Sequence, residues 1–579
     1  MLLNVDLRRM PPALVLLLRC ALGTAVVYLI LVRLAPGNPP ANPFGFSPIF
    51  WYLLSAYDTH GNLLLFGLAA CAFLLRNKPA AVGLIRFAAD HPWRLAAIVL
   101  PLLCAGSLTV YRGYPLSMDE YSVAFQAQAF AAGRLSGQFP PELLDQLLPR
   151  LPPNHFLTAS RATGEVSSSY WPGFALLATP FAWLGVPWAA NPALSALTLP
   201  AMHRITRELS GSREAAGWAV ALTLASPVFV VSAISYYSMP AHLLGNLLYA
   251  LLLLRPTPAR ALLAGFVGSV ALVVHNPVPH LLFSAAFVIW LLLRRESMAV
   301  FGALLLGYLP LAGLLGFGWP HHLTGLAAAT GATVAAQATA PEAAAFTASL
   351  FERFTSQVTS VITLPGPRIM EARLAGLSKV WTWGAVGLMV IAASGYGAAR
   401  KRPEMRAQAT VLAAALAITF FGFFLVPFDQ GHGWGYRYLH SAWFVLPVLA
   451  ALALTQEGGA ETIQLRNMVG WSVALSLLFA NGLRLVQVDA FMSRHLGQVP
   501  PLAKPADPGR AEVIFIDPAA AFYTRDMVHN DPLLRGSRLT MVYDGRESAA
   551  ELMKRRFPGY IRSAEGRWGE LWIAPVDRR

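Results

Sequence analysis

Several groups of polar residues interrupt an otherwise apolar chain in ways that bear on chemistry. The first is the adjacent carboxylate pair Asp119-Glu120, within Met118-Asp119-Glu120-Tyr121. Alone, such a pair reads as a solvated loop start. Held at the start of a fixed helix, it is favoured by the helix dipole, and a carboxylate placed there is able to take a proton. The second is Gly431-His432-Gly433-Trp434-Gly435-Tyr436-Arg437-Tyr438. Its glycines permit close backbone approach to a ligand, and Arg437 and His432 offer charge and donors. The competing reading is a rim arginine among lipid headgroups, with Trp434, Tyr436 and Tyr438 as an aromatic belt. His242, in Ser238-Met239-Pro240-Ala241-His242, sits where the chain re-enters an apolar run. An ionisable group at that depth is either functional or a hydrogen-bonded structural histidine. His275-Asn276-Pro277-Val278-Pro279-His280 places two histidines around a proline-broken turn. Imidazole and carboxylate together suit zinc or manganese, so Glu120, His242 and His275 form a candidate divalent-metal set.

These residues need a frame. A membrane span takes about 20 mainly apolar residues. Such runs recur at 12–34, 60–76, 93–111, 188–206, 214–235, 240–254, 261–277, 279–293, 298–318, 377–397, 407–427, 438–455 and 467–488. The expected fold class is therefore an all-α polytopic membrane protein with about 13 transmembrane helices, although 261–277 and 279–293 read equally as one broken element. With the N-terminus in the cytoplasm, every inner loop is basic, from Arg8-Arg9 through Arg204, Arg207 and Arg213 to Arg400-Lys401-Arg402 and Arg466. The outer stretches 35–59 and 236–239 carry no Lys or Arg. The positive-inside rule thus assigns 119–120, 242, 275–280 and 432–437 to the outer side, and Asp58 and His60 to the water interface.

Two outer loops are long, about 112–187 and about 319–376. Phe125, Ala129, Phe130 and Ala132 give the stretch after the acidic pair one apolar face, as in an interfacial helix. Beyond Pro500, Pro501 and Pro505 the composition turns soluble. Residues 512–517, 539–544 and 567–573 read as strands and 548–556 as a helix. This small C-terminal α/β domain is hard to stabilise alone and is expected to lean on the membrane part. The division is then 1–92, an N-terminal extension with two spans; 93–488, the core; and 489–579, the tail.

Composition sets the limits. Of 579 residues, 56% are apolar and 13% charged, and the mean hydropathy is +0.51. Soluble domains carry roughly 25% charged residues, so an ordinary cytosolic enzyme is excluded. Lys and Arg number 44 against 30 Asp and Glu, a net +14 that the inner loops account for without nucleic acid. Cys20, Cys71 and Cys104 lie in apolar stretches with no CxxC spacing, which indicates small buried residues rather than a disulfide framework. Leu7-Arg8-Arg9 leads into an apolar run without a small-residue cleavage pattern, so a retained first span is expected. The runs are almost free of acidic groups, which disfavours a transporter or lipid flippase; Arg19 is the main exception, and it can snorkel.

Asp119-Glu120-Tyr121, followed by Gln126-Ala127 and Ala131-Ala132-Gly133-Arg134-Leu135, resembles the first outer loop of the GT-C superfamily of integral-membrane glycosyltransferases. Within it, the likeness is to the bacterial branch related to protein O-mannosyltransferases and aminoarabinose transferases. Ser169-Tyr170-Trp171-Pro172-Gly173 resembles the family's Tyr-Pro-Pro-Gly or Lys-Pro-Pro segment before a membrane-dipping helix that ends near Gly185. The turn at 204–211, Ser226-Pro227 with 238–242, and 433–439 resemble later family segments, so the likeness covers about 93–455. One departure is that Tyr170 or Trp171 stands where the family often has Lys.

The resemblance implies transfer of a sugar from a polyprenyl-phosphate donor to a hydroxyl acceptor, at the periplasmic face of a bacterial inner membrane. It implies Asp119 as general base and Glu120 as the carboxylate that orients the acceptor or tunes Asp119. It implies donor-phosphate or substrate binding by Arg437, His432, His242, Tyr438, Tyr170 and His155. A single base with no second nucleophile implies inversion. No cofactor is firmly implied beyond the candidate divalent metal. The partners are the donor, a glycan, lipid or protein acceptor, and membrane lipid, with no nucleic acid. The competing enzyme reading is an O-antigen-ligase-like or polymerase-like protein, whose chemistry would centre on Arg and His in the second long loop, about 319–376, and which replacement of Arg353, Arg368 and Arg373 would test.

Overall fold

A computed structural model describes residues 10–34, 48–80, 82–148, 156–294, 298–328, 363–427, 429–455, 459–504, 506, 509–520, 523–543, 545 and 548–575. Helices dominate because an apolar segment in a bilayer must satisfy its own backbone groups. Among the described residues, Pro12–Leu34, Pro92–Thr109, Met298–Ala328, Pro403–Leu425 and Ala460–Gly497 are each long and apolar enough to cross a membrane. Arg213–Leu224 and Pro227–Ala233 pass the same test as a pair bent by 66°. The bend falls at Ala225-Ser226, where Pro227 starts the second helix and has no N–H to give the first. Further expected spans are occupied by Thr59–Leu74, Ala190–Ser210 and the shorter Met239–Leu253, Pro258–Val273, Val278–Leu293 and Val445–Leu454.

The expected span at 377–397 is not one helix. Pro367–Thr382 ends at Trp383, and Leu388–Arg400 begins after Gly387, whose φ of +73° is left-handed. The break turns Lys379 and Trp383 inward onto Asp58. That residue is fully buried rather than at the water interface, whereas His60 is exposed. Lys379 Nζ lies 2.6 Å and Arg484 3.2 Å from the Asp58 carboxylate, and Trp383 Nε1 donates to it at 2.6 Å. Arg484 also donates to the Tyr57 and Thr382 carbonyls. It fits only because Gly61 lacks a side chain where the guanidinium packs. This cluster pins the N-terminal helices to the core. Cys20 is buried, but Cys71 is exposed on its helix, so it is not the core residue expected.

The first long loop forms the helix Met118–Ala131, a three-stranded antiparallel sheet and the helix Gly173–Trp183. The sheet consists of β1 (Gly137–Gln138), β2 (Leu157–Ala159) and β3 (Glu165–Ser168) in the order β1-β3-β2. The C-terminal segment adds β4 (Glu512–Ile516), β5 (Arg538–Val542), β6 (Ile561–Gly566) and β7 (Gly569–Ile573), in the order β5-β4-β7-β6. Only the β4–β5 pairing is parallel. Ser548 caps the helix Ala549–Arg556 in a reciprocal box with Glu551.

Period-two alternation along β4 gives it two apolar faces. Ile514 and Ile516 pack with Val499, Met527 and Val528. Val513 and Phe515 face the other way, into one core with Met118, Tyr121 and Phe125 of the first loop. The tail therefore completes its core on the loop that carries the acidic pair. In consequence Met118–Ala131 is buried on nearly every side between the tail and the membrane helices, rather than on a single face.

Candidate active site

Asp119 stands in the first turn of the helix Met118–Ala131, where the helix dipole favours negative charge. One carboxylate oxygen receives Arg437 NH1 at 2.9 Å and the other receives the Tyr170 hydroxyl. The pair is nearly buried, with side-chain exposures of 19% for Asp119 and 11% for Arg437. Burial alone would push the Asp119 carboxyl up. Arg437, His275 and the Tyr170 hydrogen bond outweigh it and hold the group below its ordinary value, so Asp119 is an anion at neutral pH.

The glycine-rich segment is built to hold Arg437. Its NH1 also donates to the Gln430 carbonyl at 2.8 Å and to the His432 carbonyl at 2.7 Å. The guanidinium carbon lies 4.2 Å from the centre of the Tyr237 ring. Gly433, at φ +130°, leaves the space that the arginine stem fills. Nε and the second NH group are engaged by no described residue. Arg437 is thus a fixed cation of the site, not a rim arginine.

Tyr170 reaches Asp119 through a close backbone approach. Trp171 N donates to His275 O at 3.0 Å and Phe174 N to Val274 O at 2.9 Å. A side chain on Gly173 would stand 2.5 Å from the Val273 carbonyl. The Tyr170 and His275 rings then lie 3.7 Å apart. Burial lowers the His275 ring to about 4 although Asp119 pulls it up, so it is neutral, and its Nδ1 has no partner among the described residues. His242 is buried and neither ring nitrogen has a partner among the described residues; His275 and His440 are within electrostatic reach. His280 is different, because Asn246 and Tyr308 take both its nitrogens at 2.7 and 2.6 Å.

Other assignments need correction. Glu120 does not stand beside Asp119 in the site. It is 0% exposed, and its oxygens accept from Tyr111 OH at 3.0 Å, Tyr236 N at 2.8 Å and Leu116 N at 2.6 Å. Successive helical residues point about 100° apart, so Glu120 turns inward and ties the 111–116 turn to the 234–238 loop. Burial pushes its carboxyl up to about 7 against the pull of these donors. Tyr438 is also structural: its hydroxyl donates to the Asp429 carbonyl, its ring stacks on Phe423 at 4.4 Å, and Arg373 covers it. The Arg373 guanidinium donates to the Phe423 and Val426 carbonyls, which removes it from the competing arginine-centred reading. Arg368 is exposed, whereas Arg353 and His155 lie outside the described residues.

The metal set does not fit. Among the described residues no three His, Cys, Asp or Glu side chains are placed to hold an ion, and Glu120 already has its donors.

His432 is 5% exposed, and neither ring nitrogen has a partner among the described residues. It faces residues that sequence reasoning missed. Its Nε2 is 3.9 Å from Asp526 Oδ2, and the ring of Tyr523 is 4.6 Å away and that of His495 6.5 Å. Nothing in Thr524-Arg525-Asp526-Met527 marks it in the sequence, and some 400 residues separate it from Asp119.

The fold is mostly helical, and among the described residues several helices are long and apolar enough to cross a membrane. Among solved structures, the chain is similar to ArnT from Cupriavidus metallidurans. The apo form matches at TM-score 0.50 and 12% identity, over 83% of this chain and 97% of that one. The form bound to undecaprenyl phosphate matches at TM-score 0.49 and 12% identity, over 86% and 99%. At this identity the likeness is one of fold. No family model and no curated protein matches the chain.

Proposed function

We propose that the protein transfers a glycosyl group from a polyprenyl-phosphate-linked donor to a hydroxyl acceptor, with inversion, at the periplasmic face of a bacterial inner membrane. The observation that carries the reading is the Asp119–Arg437 pair, a fixed anion and a fixed cation at one nearly buried point. An acceptor hydroxyl needs a base as it attacks, and Asp119 is held in the ionised form that can accept the proton. The acceptor oxygen forms its bond to the anomeric carbon while the bond from that carbon to the phosphate oxygen breaks. The electron pair leaves with the phosphate. Arg437 offers its remaining donors to the developing charge, and the His275 ring, whose Nδ1 has no partner among the described residues, stands within its electrostatic reach. Direct attack by the acceptor, with Asp119 as the base and no covalent glycosyl-enzyme intermediate, inverts the centre.

The orientation rests on the basic inner loops. The carrier to try first is a polyprenyl phosphate, on the motif resemblance. Release of polyprenyl phosphate from a polyprenyl-phosphate sugar by the purified protein, with an acceptor, tests the reading. Asp119→Asn should slow transfer by about 10²–10⁴-fold while the protein still inserts and purifies normally. Full activity in that variant would remove Asp119 as the base.

A further inference from the structure

The C-terminal segment does more than cover the site. Residues 523–532 cross the start of the Met118–Ala131 helix and are fastened to it. The Asp526 carboxyl accepts the Met118 amide, one residue from Asp119. Tyr121 OH donates to Asn530 O and accepts Asn530 N, each at 2.8 Å, and Gln138 N donates to Pro532 O at 2.7 Å. Gly137 makes room for that carbonyl. His529 lies between the rings of Tyr114 and Tyr121, with centroids 4.8 and 4.1 Å away.

We propose that Asp526 and His432 form the acceptor subsite, and that they hold a hydroxyl group neighbouring the one that Asp119 deprotonates. The substrate class is then a carbohydrate with adjacent hydroxyls, rather than a lone serine or threonine. This rests on the transferase reading above.

The gap supports it. Asp526 and His432 are 3.9 Å apart, too far for a hydrogen bond to each other. One oxygen at about 2.8 Å from each would subtend about 90° between them, so a single hydroxyl reaches both within hydrogen-bond distance. The His432 nitrogens, which have no partner among the described residues, point to the same need, because buried polar groups are rarely left unpaired. His495 beside it also has an Nε2 with no partner among the described residues.

The charges facing Asp526 are those of Asp119 on the helix and, beyond it, Arg437; His432, His529 and Tyr114 are neutral neighbours. Burial and Asp119 together lift the Asp526 carboxyl to about 7. Burial, helped by His495, holds His432 near 3. Near neutral pH the subsite therefore offers a carboxyl that is protonated in a substantial fraction of molecules and a neutral imidazole. Both can donate and accept, which suits hydroxyls better than a phosphate or carboxylate.

The test uses the full chain, a polyprenyl-phosphate sugar and two acceptor probes: octyl glucoside and a blocked serine peptide. Octyl glucoside should be the substrate. Asp526→Ala and His432→Ala should each raise its KM by roughly tenfold, the loss of one buried hydrogen bond, with kcat little changed. In the wild type KM should climb above pH 7, as Asp526 ionises beside Asp119. Asp526→Asn should flatten that limb, a change that a merely structural role would not produce. If Asp526→Ala fails to fold, His432→Ala, on a separate segment, decides the question. Unchanged KM in the variants overturns the subsite, and preference for the peptide overturns the carbohydrate class; both leave the transferase reading standing. A wild-type protein that turns over neither probe nor releases polyprenyl phosphate overturns that reading, and the subsite with it.

Discussion

Gly433→Ala should disable the site without removing any charged group. The new Cβ would lie 3.1 Å from Arg437 Cγ, 3.3 Å from Nε and nearer still to Cδ. Ordinary carbon contacts are about 3.5–4.0 Å, so the side chain must move by roughly 1 Å. It cannot do so freely, because NH1 is held by Asp119, Gln430 and His432 at 2.9, 2.8 and 2.7 Å and the guanidinium rests on Tyr237. Alanine at φ +130° adds backbone strain of about 1–3 kcal/mol. A displacement of about 1 Å at a reacting centre costs about 10²-fold in rate. Gly431→Ala is the matched control. Its φ of +62° carries strain, but nothing lies within 4 Å of the added methyl. Transfer rates and melting temperatures of both purified variants should show Gly433→Ala about 10²-fold slower and Gly431→Ala within about threefold of wild type. Wild-type transfer by Gly433→Ala, or an equal loss in both, would refute the argument that Arg437 must be held in place.

Other outcomes follow from the same structure. Asp58→Ala leaves Lys379 and Arg484 buried without their carboxylate and should cost about 3–5 kcal/mol, seen as lower yield and melting temperature; an unchanged melting curve would contradict the cluster's role. Glu120→Gln brings an NH₂ group among the donors Tyr111 OH, Tyr236 N and Leu116 N, at a cost of about 1–3 kcal/mol. Its activity should fall only in step with folded protein, and a kcat loss in fully folded material would return Glu120 to the chemistry. Because the Asp119 carboxyl sits below its ordinary value, the stability from its pair with Arg437 is present above the ordinary carboxylate range and is lost as pH falls through the lower folded value. The rate should therefore show no acid limb from Asp119 above about pH 5, whereas Arg437→Gln should bring one into view; identical acid limbs in the two proteins would break the link between Arg437 and Asp119. Tyr170→Phe removes one of the hydrogen bonds that favour the Asp119 anion and should shift the same limb upward by less than Arg437→Gln does.

What was legible in the sequence was local or periodic. Apolar runs locate most of the helices, because a bilayer demands them wherever they fall. Alternation finds β4, β5 and β7, and Ser548 with Glu551 marks the last helix. β6 escapes notice because its residues are exposed and carry no apolar alternation. The break at 383–387 escapes because hydropathy does not register Trp383 turning inward to Asp58.

The candidate site divides in the same way. The sequence by itself determined that this is a membrane protein with its few charges in short segments, and that Asp119, Arg437 and Tyr170 stand in motif-like settings. Only the tertiary structure decided which of them meet. It separated Asp119 from Glu120, neighbours in sequence whose side chains leave the helix about 100° apart. It also brought Asp526 within electrostatic reach of Asp119 from the far end of the chain, because the apolar face of β4 finds its partner in the first long loop. Helix phase and the burial of that face are three-dimensional constraints, and no reading of residue order contains them.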